Sequence, residues 1–215
     1  MASLLVYDGY QKVLDSFPDY QFKKAIELFS GKGNITRFLA PRIKYLTCVD
    51  ANLSCGDNIK DLSNVGFIPM DSLELVTKFN TTQKYDICDI DCDTGWAGCG
   101  EHRIEFYCLF PEIIRMCKKL LALTFIQNPK SAVYRYYLQN CQQTKLTDEK
   151  TNIIIEGIMK ERNKFWRCEN LSNFNIMNVI NKEANKVGKT AELILNDRYG
   201  DTHSRLYFSI SNLEN

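Results

Sequence analysis

The chain has 215 residues, 27 Lys+Arg against 26 Asp+Glu, 45% hydrophobic and 12% aromatic residues, and nine cysteines. A domain of that length buries roughly 70% of its unfolded surface and needs no disulfide or metal to fold. The formal charge of +1 removes the overall basic excess of a nucleic-acid or membrane binder while leaving room for a local patch. Nine is odd and no CxxC pair occurs. The start MASLLVYDGYQKVLDSF lacks the cationic and apolar stretches of a secretory leader, and no apolar run is long enough to cross a bilayer. The expectation is a cytoplasmic protein with reduced thiols and no membrane contact.

No repeat, low-complexity tract or linker interrupts the chain, so residues 1–215 read as one domain. Residues 8–17 read as a helix, and Ala25–Phe29 as a buried strand that runs into Ser30-Gly31-Lys32-Gly33-Asn34. Ile35, Phe38 and Leu39 then recur at helical spacing until Pro41. The same alternation continues through strands at 45–49, 65–68 and 85–90 and helices at 53–62 and 72–79. Apolar residues at 106, 109, 110, 113 and 117 predict a helix over 106–120 that Pro111 starts or kinks, before a fifth strand at 121–126. Residues 131–141 and 172–186 read as helices, and 147–168 stays ambiguous. The runs Ala191–Leu195 and Arg205–Ile210, separated by the turn-rich 196–201, suit a closing hairpin. Alternating β and α predicts a doubly wound, mostly parallel seven-stranded α/β sheet with a C-terminal antiparallel hairpin. Residues 22–127 form its cofactor half, and 128–215 its acceptor half with a helical insertion at about 130–170.

Ligands of such a sheet bind at the carboxyl ends of its strands. Strand one supplies Glu27, Phe29, Ser30, Gly31 and Gly33, where glycines let a ligand approach the backbone. Strand two ends in Asp50 and Ala51, with the acid 23 residues after Glu27, where an acidic side chain accepts hydrogen bonds from a ribose diol. Strand three runs into Asp71 and Ser72, and strand four into Asp89, Asp91 and Asp93. Asp50 and Asp71 can equally cap the helices that follow them. So many acids would repel a dinucleotide's pyrophosphate and suit a cationic cofactor such as S-adenosylmethionine. The third glycine of GxGxxG and the first of a Walker loop are both absent.

These residues resemble the class I S-adenosylmethionine-dependent methyltransferases. Glu27-Leu-Phe-Ser-Gly-Lys-Gly-Asn-Ile-Thr36 is similar to their first motif, Val49-Asp50 to the second, Met70-Asp71 to the third, and Asp86-Ile-Cys-Asp-Ile-Asp91 to the fourth. The resemblance implies that Glu27 and the glycine loop hold the methionine end, Asp50 the ribose and Asp71 the adenine amine, with Ser72 and Asp89 beside them. The ELFSGxG form is most like nucleic-acid methyltransferases, and Asp89-Ile90-Asp91 resembles the DxDP motif of tRNA guanine dimethyltransferases. Cys92 and Asp93 stand where that group has proline and an aromatic residue.

The resulting expectation is methyl transfer to a base in RNA or DNA, with Asp89 and Asp91 orienting or deprotonating the acceptor nitrogen. Cys92 as a nucleophile for carbon methylation lacks the usual Pro-Cys pair, and Cys92, Cys99 and His102 match no zinc spacing, so no metal is expected. Arg162, Lys164, Trp166 and Arg167 combine cations with a stacking ring for nucleic acid, as Tyr134-Arg-Tyr-Tyr137 does less strongly. The alternative is that Trp166 anchors the core. A methyltransferase-like scaffold without turnover and a small-molecule methyltransferase are the rival functions.

Overall fold

A computed structural model of the chain describes residues 2–78, 82–91, 106–126, 128–140, 146–166, 172–199 and 203–213. In chain order the elements are α1 (Ala2–Asp15), β1 (Lys24–Leu28), α2 (Asn34–Leu39), β2 (Tyr45–Asp50), α3 (Ser54–Asp57), β3 (Val65–Pro69), α4 (Ser72–Lys78) and β4 (Tyr85–Ile90). They continue with α5 (Phe106–Met116), β5 (Cys117–Ile126), α6 (Ala132–Asn140), α7 (Asp148–Trp166), α8 (Asn173–Asn185), β6 (Lys189–Tyr199) and β7 (His203–Asn212). One seven-stranded sheet runs β3-β2-β1-β4-β5-β7-β6. β1 to β5 pair in parallel, and β7 lies antiparallel between β5 and β6. The order reverses between β1 and β4, the switch point at whose carboxyl ends open α/β sheets bind their ligands.

Period-two alternation splits the core into two layers. Ala25, Cys48, Ile87, Leu120, Ala122 and Tyr207 face Tyr10 and Val13 of α1 and Ile35 and Leu39 of α2. Their neighbours Ile26, Val49, Cys88, Leu121 and Phe208 face the other way, against Phe110 and Ile113 of α5 and Ile176 and Ile180 of α8. Both layers are needed because a parallel sheet is buried on both faces.

The sheet and its closing hairpin agree with the sequence reading, while several boundaries move. Helix α1 begins at Ala2 rather than at residue 8. The helix expected over 53–62 is the single turn α3. There Gly56 lies against the ring of Phe67, where a Cβ would sit 2.7 Å from Cδ1. The fifth strand starts at Cys117, because Cys117 and Leu120 find partners in Tyr85 and Ile87 and sheet pairing overrides the helical periodicity. The ambiguous 147–168 region is the long helix α7. Turn-forming Asn196–Tyr199 is drawn into β6 by pairing with His203–Leu206. Among the described residues no helix is long and apolar enough to cross a membrane.

Candidate active site at the strand ends

Three residues after β1 adopt left-handed backbone: Phe29 (φ 61°), Gly31 (φ 50°) and Gly33 (φ 76°). Glycine does so freely, whereas a side chain at this φ is strained. The strained Phe29 is held by its N–H donating to Ser72 Oγ at 3.1 Å. At Gly33 a side chain is excluded twice, since a Cβ would also lie 2.4 Å from Ile59 Cγ2. The loop is tied to its neighbours: Ser30 N donates to Val49 O (3.1 Å) and Gly31 N to Asp50 Oδ2 (2.8 Å). Asp50 Oδ1 accepts from Asn52 N at 2.9 Å, and Met70 N donates to Asp50 O at 3.1 Å. Burial, aided by Asp50, pushes the Cys55 thiol up to about 11. Asp71 Oδ1 accepts from Leu73 N (2.8 Å) and Glu74 N (3.1 Å), capping α4. Asp91 N donates to Leu28 O at 3.2 Å, joining the β4 end to the β1 end.

The fold therefore gathers Phe29, Ser30, Gly31, Gly33, Asp50, the exposed Ala51, Asp71, Ser72 and Asp91 along one edge, with Glu27 beneath the loop. Buried Ser30 Oγ and Glu27 Oε1 have no hydrogen-bond partner among the described residues. Glu27 Oε2 accepts from Thr36 Oγ1 at 2.6 Å.

On the α1 side of the sheet the strand register places Glu27 beside Asp89 and Thr124 beside Arg205. Arg205 is 1% exposed. Its Nη2 donates to both oxygens of Asp89, and its Nη1 to Thr124 Oγ1 (2.7 Å) and Asp91 Oδ1 (3.1 Å). Thr124 Oγ1 donates to Asp91 Oδ1 at 2.8 Å, and Tyr10 OH to Asp89 Oδ2 at 2.7 Å. The guanidinium also lies 5.4 Å from the Tyr10 ring centre and 6.0 Å from that of Tyr207. Burial, reinforced by Asp89, holds Glu27 well above the usual carboxylate range. Burial also raises Asp89, opposed by Arg205. Burial works against the Arg205 charge, but Asp89 and Asp91 outweigh it and the group stays protonated.

Two expectations need correction. Asp89, expected at the cofactor and the acceptor, is instead fully buried, with both oxygens on Arg205 and one also on Tyr10. Trp166 offers no stacking surface, because it is 2% exposed within the α5–α8 core. Arg162 and Lys164 lie on α7. Cys92, Asp93, Cys99, His102 and Arg167 lie outside the described residues. Sequence reasoning missed Tyr10, Thr36, Thr124 and Arg205. Its available signal was Arg205 directly before the apolar run 206–208, where a cation drawn into the sheet needs a partner.

No family model matches this sequence, and no curated protein matches it. Solved structures do. The plantazolicin methyltransferase in complex with SAH superposes with a TM-score of 0.59 at 8% identity, over 98% of this chain and 84% of that one. Magnesium protoporphyrin IX methyltransferase from Synechocystis PCC 6803 with bound SAH gives 0.56 at 10% identity, over 97% and 83%. An N-methyltransferase from Bradyrhizobium japonicum gives 0.52 at 14% identity, over 98% and 97%. At these identities the likeness is one of fold. The chain has the Rossmann-like fold of class I S-adenosylmethionine-dependent methyltransferases.

Proposed function

We propose that the protein binds S-adenosylmethionine and transfers its methyl group to a nitrogen acceptor. The observation that carries this reading is the glycine loop between β1 and α2, with two buried, unpartnered oxygens, Glu27 Oε1 and Ser30 Oγ, in and beneath it. Buried polar atoms normally have partners, and a cofactor with an amino group and hydroxyls would supply them. When bound, the cofactor contributes a methyl group activated by a sulfonium. The loop from Phe29 to Gly33 would hold its amino-acid end, Asp50 its ribose through lone pairs left by Gly31 N and Asn52 N, and Asp71 its adenine beside Ala51 and Ser72. Asp91, at the open end of β4, would orient the acceptor, and rate would come mainly from that alignment.

We place the acceptor nitrogen on a base of RNA or DNA, for two features outside the cofactor edge. Helix α7 carries Lys160, Arg162 and Lys164, and Tyr136 on the adjoining α6 is 65% exposed. Arg135 Nη2 donates to Asn152 Oδ1 at 2.8 Å, holding these two helices together. A small molecule is the second reading, favoured by the near-zero net charge.

Calorimetry with S-adenosylmethionine tests the cofactor. The wild type is expected to bind, and Asp50→Ala to weaken binding by about 1–3 kcal/mol through loss of a charge-assisted partner. Gly31→Val should weaken it further, because a β-branched residue resists a φ of 50°. Unchanged affinity in both folded variants would move the cofactor elsewhere. A labelled-methyl assay on RNA, DNA and cell extract then identifies the acceptor pool, and wild type that binds cofactor yet labels nothing would make the protein a scaffold.

A further inference from the structure

Asp91 stands at the mouth of the buried polar cluster. Its side chain is 37% exposed, against 0% for Asp89 and 1% for Arg205 behind it. The hydroxyl of Thr124 and Nη1 of Arg205 converge on the same oxygen, Oδ1, and Arg205 Nη1 also bonds Thr124 Oγ1. Guanidinium, hydroxyl and carboxylate thus close a small ring that fixes the rotation of the Asp91 carboxylate. Among the described residues nothing hydrogen-bonds to its other oxygen, Oδ2.

We propose that Arg205, with Thr124, is a positioning residue: by holding Oδ1 of Asp91 it presents Oδ2 as a fixed negative hydrogen-bond acceptor to the reacting end of the cofactor and the acceptor nitrogen. The inference rests on the cofactor reading above.

The chemistry of the cluster fits the role. A planar guanidinium can bridge two carboxylates and a hydroxyl at once, which a lysine ammonium on a flexible stem does not do with fixed geometry. Among the described residues, the ionisable groups that interact with Asp91 are Glu27 from β1, Asp89 from β4 and Arg205 from β7, and Tyr10 from α1 and Tyr207 from β7 face Asp89 and Arg205 behind it. Arg205 spends Nη2 on Asp89, and burial disfavours charge on Glu27, so Asp91 is the carboxylate of the cluster that faces outward. A carboxylate pinned in this way orients N–H groups and steadies positive charge, and it disfavours an anionic acceptor group.

The test compares two probes on the full chain by calorimetry. One is S-adenosylhomocysteine, which is neutral at sulfur. The other is sinefungin, an analogue with a carbon bearing a primary ammonium in place of that sulfur. Wild type is expected to prefer sinefungin on the order of tenfold, the scale of one charge-assisted hydrogen bond. Asp91→Asn should bring that ratio to within about twofold of unity, with S-adenosylhomocysteine affinity held within about twofold, because only the presented charge is lost. Arg205→Lys conserves charge but not the fork and should do the same. Thr124→Val removes one of the two groups that hold Oδ1 and should lower the ratio by about threefold, less than loss of the charge itself. A generic structural role for Arg205 would weaken both probes together and leave the ratio alone.

Wild type with a ratio near unity overturns the proposal, as do folded Arg205→Lys and Thr124→Val variants that keep the full ratio. If Arg205→Lys does not fold, Thr124→Val carries the decision. Wild type that binds neither probe overturns the cofactor reading itself. Equal binding of both overturns only the role given to Arg205.

Discussion

Glu27 shows how the sheet around a single residue raises its proton affinity. It is fully buried, its strand neighbour is Asp89, and its Oε2 accepts from two neutral groups, the Thr36 hydroxyl and the Cys48 thiol. Ionising it would place a second negative charge beside Asp89 without a counter-ion of its own, which is why burial and Asp89 raise its proton affinity so strongly. A carboxyl with a raised folded-state pKa binds more protons folded than unfolded. Its contribution is complete below the unfolded value, about 4.3, and declines as pH rises toward the folded value. Glu27→Gln keeps the Thr36 bond and removes the titration. Melting temperatures from pH 5 to 9 should therefore fall less steeply for the variant than for wild type, with the two curves diverging as pH rises. Parallel curves would show that Glu27 does not hold its proton in the fold. Burial acts similarly on Cys48, whose thiol is raised by it and by Glu27. The sequence placed Glu27 at the end of the first strand, before the glycine loop. That one of its oxygens is buried without a partner depends on how the loop packs over it.

Among the elements, α7 shows a motif whose residue types mislead. Lys, Arg, Phe and Trp interleaved over 160–167 suggest stacking on bases, but Trp166 is the last residue of the helix and one of the largest fully packed side chains. Trp166→Ala should cost about 3–5 kcal/mol in chemical denaturation, the usual penalty for removing a buried aromatic. A loss below about 1 kcal/mol, in the range of surface substitutions, would return the ring to the surface. The row of acids and glycines at the strand ends was legible because each βα unit is local: a strand, an acid at its end and a following helix lie within a short stretch of chain. The Arg205 cluster was not legible because it is assembled across the sheet. β7 inserts between β5 and β6, Thr124 meets Arg205 by register, and Arg205 reaches over β5 to Asp89, where the intervening Ala122 is small. No short window of sequence contains those three strands. The same non-local pairing extended β5 to Cys117 and β6 to Tyr199, beyond the limits set by local pattern.

At the scale of the whole molecule, a formal charge of +1 means that a nucleic-acid phosphate backbone could be held only by concentrating cations on one surface. Arg162 and Lys164 share α7, and Arg167 follows its last residue. Trp166 lies inside the core, and Tyr136 on α6 is 65% exposed. The two contributions separate by salt. If each of the three cations neutralises one phosphate, changing all three to Glu should flatten the slope of log affinity against log salt by about 2–3. Tyr136→Ala should weaken RNA binding by about 1–3 kcal/mol at every salt concentration, since a base stacked on a ring releases no counter-ion. S-adenosylhomocysteine affinity should be unaltered in both, because Asp50, Asp71 and the glycine loop lie at the ends of other strands. Fluorescence anisotropy with a labelled RNA across a salt series gives slope and intercept together. Wild type that does not bind at low salt, or a triple variant with an unaltered slope, would remove the nucleic acid and leave a small nitrogenous molecule as the acceptor facing Asp91.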